Sequence, residues 1–150
     1  MPIATFHDLC AGLCQGLGPV PPHLGPGASA GDGPAVLQLS IDGVNVAIAP
    51  ALLPGDEAGA TLSVEYGAVP PAREASVLEA LMDANLRMMG AHAPAFVRDT
   101  QGCIQLLASW PLAGLELHET RELLKDMASA ALAWRRDAED PPAAPPQGYA

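Results

Sequence analysis

Apolar residues near the start of the chain recur at the spacing of an α-helix. One stripe is formed by side chains three or four positions apart, namely Phe6, Leu9, Cys10, Leu13, Cys14 and Leu17. Thr5 followed by Asp8 is the pattern of a capping box, which satisfies free N–H groups in the first turn of a helix. The pattern therefore predicts a helix that begins after Thr5 and ends at Gly18 and Pro19.

The next part of the chain alternates between apolar and polar or small residues, the period of a strand with one buried face. Three runs follow this pattern, at 37–41, 44–48 and 62–66. The first two are separated by Asp42 and Gly43, a strong hairpin signal because both turn positions need positive φ. Prolines and glycines predict a loop over 50–59. The alternation predicts a sheet with one buried face and one less apolar face.

A second amphipathic helix is predicted after Pro70 and Pro71, since proline is tolerated in the first turn. Its apolar residues cover more than one face: Val77, Leu78, Leu81, Met82, Ala84, Leu86, Met88 and Met89. A helix that serves only its own core shows a single stripe of modest width. The second face is interpreted as a contact with another subunit. The alternative is a helix packed centrally within the monomer.

A second strand pair and a third helix are predicted beyond Gly90 and Pro94. The strands are expected at Phe96 and Val97 and over 103–110, with 99–102 as the turn. The last helix carries an apolar side made of Leu123, Leu124, Met127, Ala130, Ala131 and Trp134. The predicted order is thus helix, three strands, helix, two strands, helix.

This order, and particular residues within 76–136, resemble the class I type III secretion chaperones, the Tir-chaperone family. The residues that carry the resemblance are Leu81, Asn85, Leu86, Gly90, Pro111, Leu112 and Trp134. It extends over roughly 5–136. The chain departs from the usual family pattern in its long Gly/Pro loop at 18–34 and in its proline-rich tail.

The resemblance implies an α+β fold with an antiparallel twisted sheet and helices. It also implies a homodimeric, ATP-independent chaperone in the bacterial cytoplasm. Such a protein binds an extended N-terminal segment of a secreted effector and keeps it soluble and ready for export. The ATPase of the secretion system is a further partner that the resemblance suggests. No cofactor, metal ion or catalytic residue is expected.

Two surfaces are predicted by combining this resemblance with the apolar patterns. The effector is expected on the first helix and first strands, at Phe6, Leu9, Leu13, Val36, Leu37, Leu39, Ile41, Val44 and Val46. The dimer interface is expected on the second helix, at Val77, Leu78, Leu81, Met82, Asn85, Met88 and Met89.

Composition limits the classes of partner. The 150 residues carry a net charge of -10, and such a surface repels nucleic acid phosphates and anionic lipid headgroups. Neither nucleic acid binding nor membrane insertion is expected, and no export signal is recognised at the N-terminus. A single domain is predicted over 1–136, including the loop 18–34. Residues 137–150 are rich in proline and poor in apolar surface, so a disordered tail is predicted.

Candidate chemistry is sparse. His7, Cys10 and Cys14 could share a helical face, but zinc usually takes four ligands, so both cysteines are interpreted as small core residues. Glu116, His118 and Glu119 are interpreted as solvated residues at a helix start. Two alternatives to a secretion chaperone stay open. One is a chaperone-like adaptor outside secretion, and the other is a small-ligand-binding or enzymatic domain on the same scaffold.

Overall fold

The computed structural model describes residues 3–16, 23–24, 36–90 and 93–139. In chain order the elements are α1 (Phe6–Gly16), β1 (His23–Leu24), β2 (Leu37–Ile41), β3 (Val44–Leu53), β4 (Glu57–Ala68), a 3₁₀ turn (Pro71–Arg73), α2 (Glu74–Arg87), β5 (Ala95–Arg98), β6 (Cys103–Pro111) and α3 (Leu117–Glu139). The predicted α+β order is confirmed. The short β1 adds a two-residue strand to the five strands that were predicted.

All strands are antiparallel to their neighbours and form one sheet in the order β1-β2-β3-β4-β6-β5. Strands β2, β3 and β4 follow one another as hairpins. The chain then passes through α2 to the far edge, where β5 lies, and returns as β6 between β5 and β4. The helix α2 is therefore next to the edge strand β5, away from β2.

The capping box that opens α1 is formed as predicted. The Thr5 backbone N–H donates to the Asp8 carboxylate at 3.0 Å, and the Asp8 N–H donates to the Thr5 hydroxyl at 3.1 Å. This reciprocal pair satisfies two N–H groups that have no partner within the helix. The start of α1 is thereby fixed on the residues that the sequence indicated.

The hairpin between β2 and β3 also follows the prediction. Ile41 pairs with Val44, and the two residues between them have positive φ, 51° at Asp42 and 82° at Gly43. Both values are typical of a type I′ turn, whose twist matches that of the strands.

The loop predicted over 50–59 is wrong. Strand β3 continues to Leu53 and β4 begins at Glu57, so only three residues form the turn. Proline at position 50 is tolerated because β2 pairs with β3 only as far as Ile48. Beyond Ile48, the N–H that Pro50 lacks is not needed for a backbone hydrogen bond to β2.

The core lies between one face of the sheet and the pair α1 and α3. Its fully buried larger side chains are Leu9, Leu13, Leu37, Val44, Val46, Ile48, Leu62, Val64, Ile104 and Leu124. Alternate residues of the strands point into this core, as the sequence pattern predicted. The helix α2 contributes only half-buried residues such as Leu78 and Leu81.

Arg135 of α3 fastens the helix to an irregular part of β4. The register of β4 against β6 shifts between Glu65 and Gly67, where Gly67 has a φ of 121°. The Arg135 guanidinium donates to the carbonyl oxygens of Glu65 and Tyr66, each at 2.7 Å. These bonds satisfy carbonyl groups that the bulge removes from regular pairing.

Two domain boundaries can be compared with the structure. Strand β1 lies inside the predicted loop 18–34, and the rest of that loop is outside the described residues. Helix α3 continues to Glu139, so the predicted domain end at 136 falls three residues short. The remainder of the predicted tail, 140–150, is outside the described residues.

Candidate functional site

An exposed apolar stripe lies on the outer side of α2 and its C-terminal end. Met82, Leu86 and Met89 are 72%, 67% and 76% exposed. Met82 and Leu86, four residues apart, share one face of the helix, and Met89 lies two residues beyond the end of the helix at Arg87. No residue of α2, Glu74–Arg87, is buried by the described part of the chain. We call these three residues the α2 stripe, and it is the largest concentration of exposed long apolar side chains among the described residues.

The inner side of α2 is attached to the edge strand β5 by side-chain hydrogen bonds. The Asn85 amide donates to the Phe96 carbonyl at 2.8 Å, and the Phe96 N–H donates to the Asn85 side-chain oxygen at 2.7 Å. Glu74 forms an ion pair with Arg98 at the other end of β5. Asn85 therefore occupies part of the free edge of the sheet, which would otherwise expose unpaired backbone groups.

A pocket of about 370 Å³ lies between α2 and the end of α3. Val77, Leu81 and Trp134 supply its apolar lining, and the Arg73 guanidinium donates to the Asp137 carbonyl at 3.1 Å across one end. Beneath it Trp134 packs edge-on against Tyr66, with ring centroids 5.9 Å apart. Burial raises the pKa of the Tyr66 phenol. The pocket and the α2 stripe flank the side of α2 that contacts β5.

The residues predicted for a dimer interface divide into three groups. Met82 and Met89 belong to the exposed α2 stripe. Four others are half-buried: Val77, Leu78, Leu81 and Met88. Asn85 is half-buried and makes its side-chain hydrogen bonds to β5 of its own chain, so its place in a dimer interface stays a prediction. Leu86 was left out of the predicted set although its exposure places it in the stripe.

Six of the nine residues predicted to bind an effector lie in the core of the monomer: Leu9, Leu13, Leu37, Ile41, Val44 and Val46. The prediction that these side chains are available at the surface is wrong. The four strand residues lie on the face of the sheet that α1 and α3 cover, and Leu9 and Leu13 lie on the side of α1 that packs into the same core. Phe6, Val36 and Leu39 are half-buried.

The opposite face of the sheet is polar, and the helices leave it uncovered. Asn45 donates to Glu65 at 3.1 Å, and the hydroxyls of Thr61 and Ser109 are 3.0 Å apart. These bonds run across neighbouring strands and pair the polar groups of this face with one another. It is a polar surface rather than an apolar binding face.

The thiols of α1 and the charged residues at the start of α3 were the candidates for metal or acid–base chemistry. No group of three potential metal ligands occurs among the described residues. Cys10 and Cys14 are half-buried, His7 is exposed, and Glu116, His118 and Glu119 are exposed. Partial burial, with the neighbouring Cys14 as a smaller cause, raises the pKa of Cys10 to about 11.

None of the helices in the described ranges combines the length and apolar character needed to cross a bilayer. Compared with known proteins, the chain matches the model of no protein family and the sequence of no curated protein.

Proposed function

We propose that this protein is a homodimeric, ATP-independent chaperone that holds an extended N-terminal segment of a type III secretion effector before export. The observation that carries the proposal is the α2 stripe. Met82 and Leu86 on α2, and Met89 just beyond its C-terminal end, are 72%, 67% and 76% exposed. Exposed apolar groups in such a row are typical of a surface that another protein covers.

A second copy of the chain is the partner proposed for the α2 stripe. Under two-fold symmetry the same patch meets itself, so a helix with an apolar face can pair with its own copy. The side of α2 near Asn85 is already engaged with β5. The dimer proposed from the sequence is therefore centred on Met82, Leu86 and Met89 rather than on Asn85.

The client is proposed to reach the sheet at the edge opposite β5. There β1 pairs only with Leu37 and Gln38, so no described strand pairs with the outer edge of β2 over 39–41. Strand β3 likewise pairs only with β4 beyond Ile48, and Leu52 in this part is 72% exposed. Edge groups that no described strand pairs with are the place where we propose an added strand, which is one common way of binding an extended peptide.

Affinity capture from the native bacterium, followed by mass spectrometry, tests this function. We expect one larger protein in stoichiometric amount, with a segment near its N-terminus protected from protease. Resin carrying an unrelated protein of similar negative charge is the control for electrostatic capture. A bound metabolite without any protein partner would contradict the proposal and favour a ligand-binding domain. A stoichiometric partner that is never secreted would contradict it in favour of an adaptor.

A further inference from the structure

The pocket of about 370 Å³ between α2 and the end of α3 has a preformed apolar lining. Val77 and Leu81 line it from α2, Trp134 lines it from α3, and all three side chains are half-buried. The Trp134 ring packs edge-on against Tyr66, whose ring packs edge-on against Phe96 with centroids 5.1 Å apart. A ligand would therefore meet an aromatic surface that is already held in place, which lowers the cost of binding. We call this surface the Trp134 pocket.

The chain beyond α3 continues from the rim of the Trp134 pocket. Asp137 belongs to the lining, and α3 ends at Glu139. Glu139 is five residues beyond Trp134, which is about 7.5 Å along the helix axis. The eleven residues at 140–150 span about 34 Å at the polyproline II rise of about 3.1 Å per residue. This length is more than enough for the segment to turn back and reach the pocket.

The sequence of this segment, DPPAAPPQGYA, has the composition of a polyproline II ligand. Its prolines are Pro141, Pro142, Pro145 and Pro146. A polyproline II helix has three residues per turn, so in that conformation Pro142 and Pro145 share one side. Segments with the spacing P-x-x-P bind aromatic-lined grooves, because proline pre-sets the extended backbone and little further entropy is lost. The disorder predicted for the tail reflects too little apolar surface for a core of its own, whereas docking on a preformed pocket requires far less.

We propose that the proline-rich segment 141–146 docks on the Trp134 pocket of its own chain. Pro142 and Pro145 lie against the Trp134 ring, and Val77 and Leu81 form the opposite wall. The tether favours this occupant, because a segment on a short linker has an effective concentration in the millimolar range. An intrinsic affinity of about 1 mM is then enough to keep a large share of the molecules docked. The docked segment covers the apolar lining, so any other ligand of the pocket must displace it.

Nuclear magnetic resonance relaxation of the full chain tests the docking directly. The backbone amides of Ala143 and Ala144 should have order parameters above about 0.6, whereas a tail that does not dock gives lower values. Ala80→Phe fills the Trp134 pocket from an exposed position of α2 and should lower both order parameters below that value. Ala113→Phe adds the same ring at an exposed site near the opposite end of α3, about 25 Å away, and should leave them unchanged. Low order parameters in the wild-type protein, or equal effects of the two variants, would overturn the proposal.

The tryptophan side chains give a second readout, which reports the aromatic contact itself. The sequence has two tryptophans, and each indole N–H gives its own signal. Trp134 lines the pocket, whereas Trp110 lies on β6 and serves as the internal control. In the full chain, the pair Pro142→Ser and Pro145→Ser should shift the Trp134 signal and leave the Trp110 signal in place. A Trp134 signal that does not move would rule out the contact with its ring.

A monomeric variant identifies which copy of the chain supplies the segment. Leu86→Asp places a charge in the α2 stripe, outside the Trp134 pocket, and light scattering confirms that the variant is monomeric. Order parameters of Ala143 and Ala144 above about 0.6 in this variant support docking within one chain. Their loss would overturn the proposal in favour of the tail of a second copy. These outcomes do not depend on capture of a secreted client, so the docking and the function proposed above can fail separately.

Discussion

Asn85 substitutes for a strand at the edge of the sheet. Its carboxamide has a carbonyl oxygen and an N–H on the same side, and it uses both on the backbone of Phe96. A single side chain thereby satisfies two backbone groups of β5 and holds α2 against the edge. This contact holds one side of α2 on the sheet, and Met82 and Leu86 lie on a neighbouring side that is exposed to solvent.

Replacing Asn85 by alanine should therefore destabilise the fold. Two half-buried backbone groups lose their partners, and the expected loss in free energy of unfolding is about 1–3 kcal/mol. Urea unfolding followed by circular dichroism measures it. Asn45→Ala is the matched control, because Asn45 is exposed and makes one side-chain hydrogen bond to Glu65. Equal losses for the two variants would show that the contact with Phe96 adds nothing to stability.

Cys10 should react slowly with alkylating reagents at neutral pH. Partial burial raises its pKa from 9.0 to about 11, so the folded protein favours the neutral thiol. Because the thiolate is the reactive form, its rate at pH 8 should be about 100-fold below that of a thiol with the ordinary pKa. The rate should keep rising about ten-fold per pH unit until near pH 11. Peptide mapping after iodoacetamide treatment measures this, and a plateau near pH 9 would contradict it.

At the scale of elements, α2 differs from the other two helices in what covers it. Helices α1 and α3 each bury an apolar stripe against the sheet, through Leu9, Leu13 and Leu124 for example. Helix α2 packs mainly on the edge strand β5, buries none of its residues within the described chain, and leaves the α2 stripe in solvent. An element with apolar residues on two sides and a partner on only one gains stability when a second surface covers it.

Charge placed in the α2 stripe should prevent dimerisation without unfolding the monomer. Leu86 is 67% exposed, so Leu86→Asp removes little from the described core. In a two-fold interface the same carboxylate would be buried unpaired, at a cost of about 3–5 kcal/mol. Ala133→Asp adds the same charge at an exposed position of α3 and should leave the dimer intact. Light scattering at about 50 µM measures both, and a monomeric wild-type protein there would defeat the dimer proposal.

Most of the fold could be predicted from the sequence, because its elements are specified by local patterns. The capping residues Thr5 and Asp8, the turn at Asp42 and Gly43, and the alternation along β2 all depend on near neighbours. The extent of β3 past Pro50 could not be predicted in this way. Proline is tolerated there because β2 ends its pairing at Ile48, which is a property of the assembled sheet.

The candidate site was less predictable for a related reason. The regular spacing of apolar residues shows which face of a helix or strand avoids water. It does not show which surface covers that face. Leu37 and Val44 were assigned to a partner and lie in the core, whereas Leu86 was left out and is exposed. Asn85 carried a clearer signal, because a polar residue on an apolar face needs a partner. Only the fold identifies that partner as the backbone of Phe96.

At the scale of the whole molecule, arginines bond to backbone carbonyl groups as well as to carboxylates. Arg135 and Arg121 fasten helices by donating to backbone carbonyl oxygens. Three ion pairs between side chains occur among the described residues, and in two of them both partners are at least 40% exposed. Exposed pairs of this kind contribute little to stability. The excess of carboxylates gives the molecule a net negative charge. Repulsion between molecules keeps a protein with the exposed α2 stripe soluble, and repulsion within each molecule opposes the compact state.

Salt should therefore stabilise this protein at pH 7. With seventeen acidic and seven basic residues, screening weakens more repulsion than attraction, and the Debye length falls to about 10 Å at 0.1 M salt. Raising NaCl from about 10 mM to about 300 mM should increase the melting temperature by about 2–4 °C for each kcal/mol of repulsion removed. Differential scanning fluorimetry measures the change, at a protein concentration held constant so that association contributes equally.

Near the sequence pI of 4.5 the carboxylates are partly neutralised, so the same salt increase should have little effect. A melting temperature that falls with NaCl at pH 7 would show instead that attractive ion pairs dominate the electrostatics of the fold.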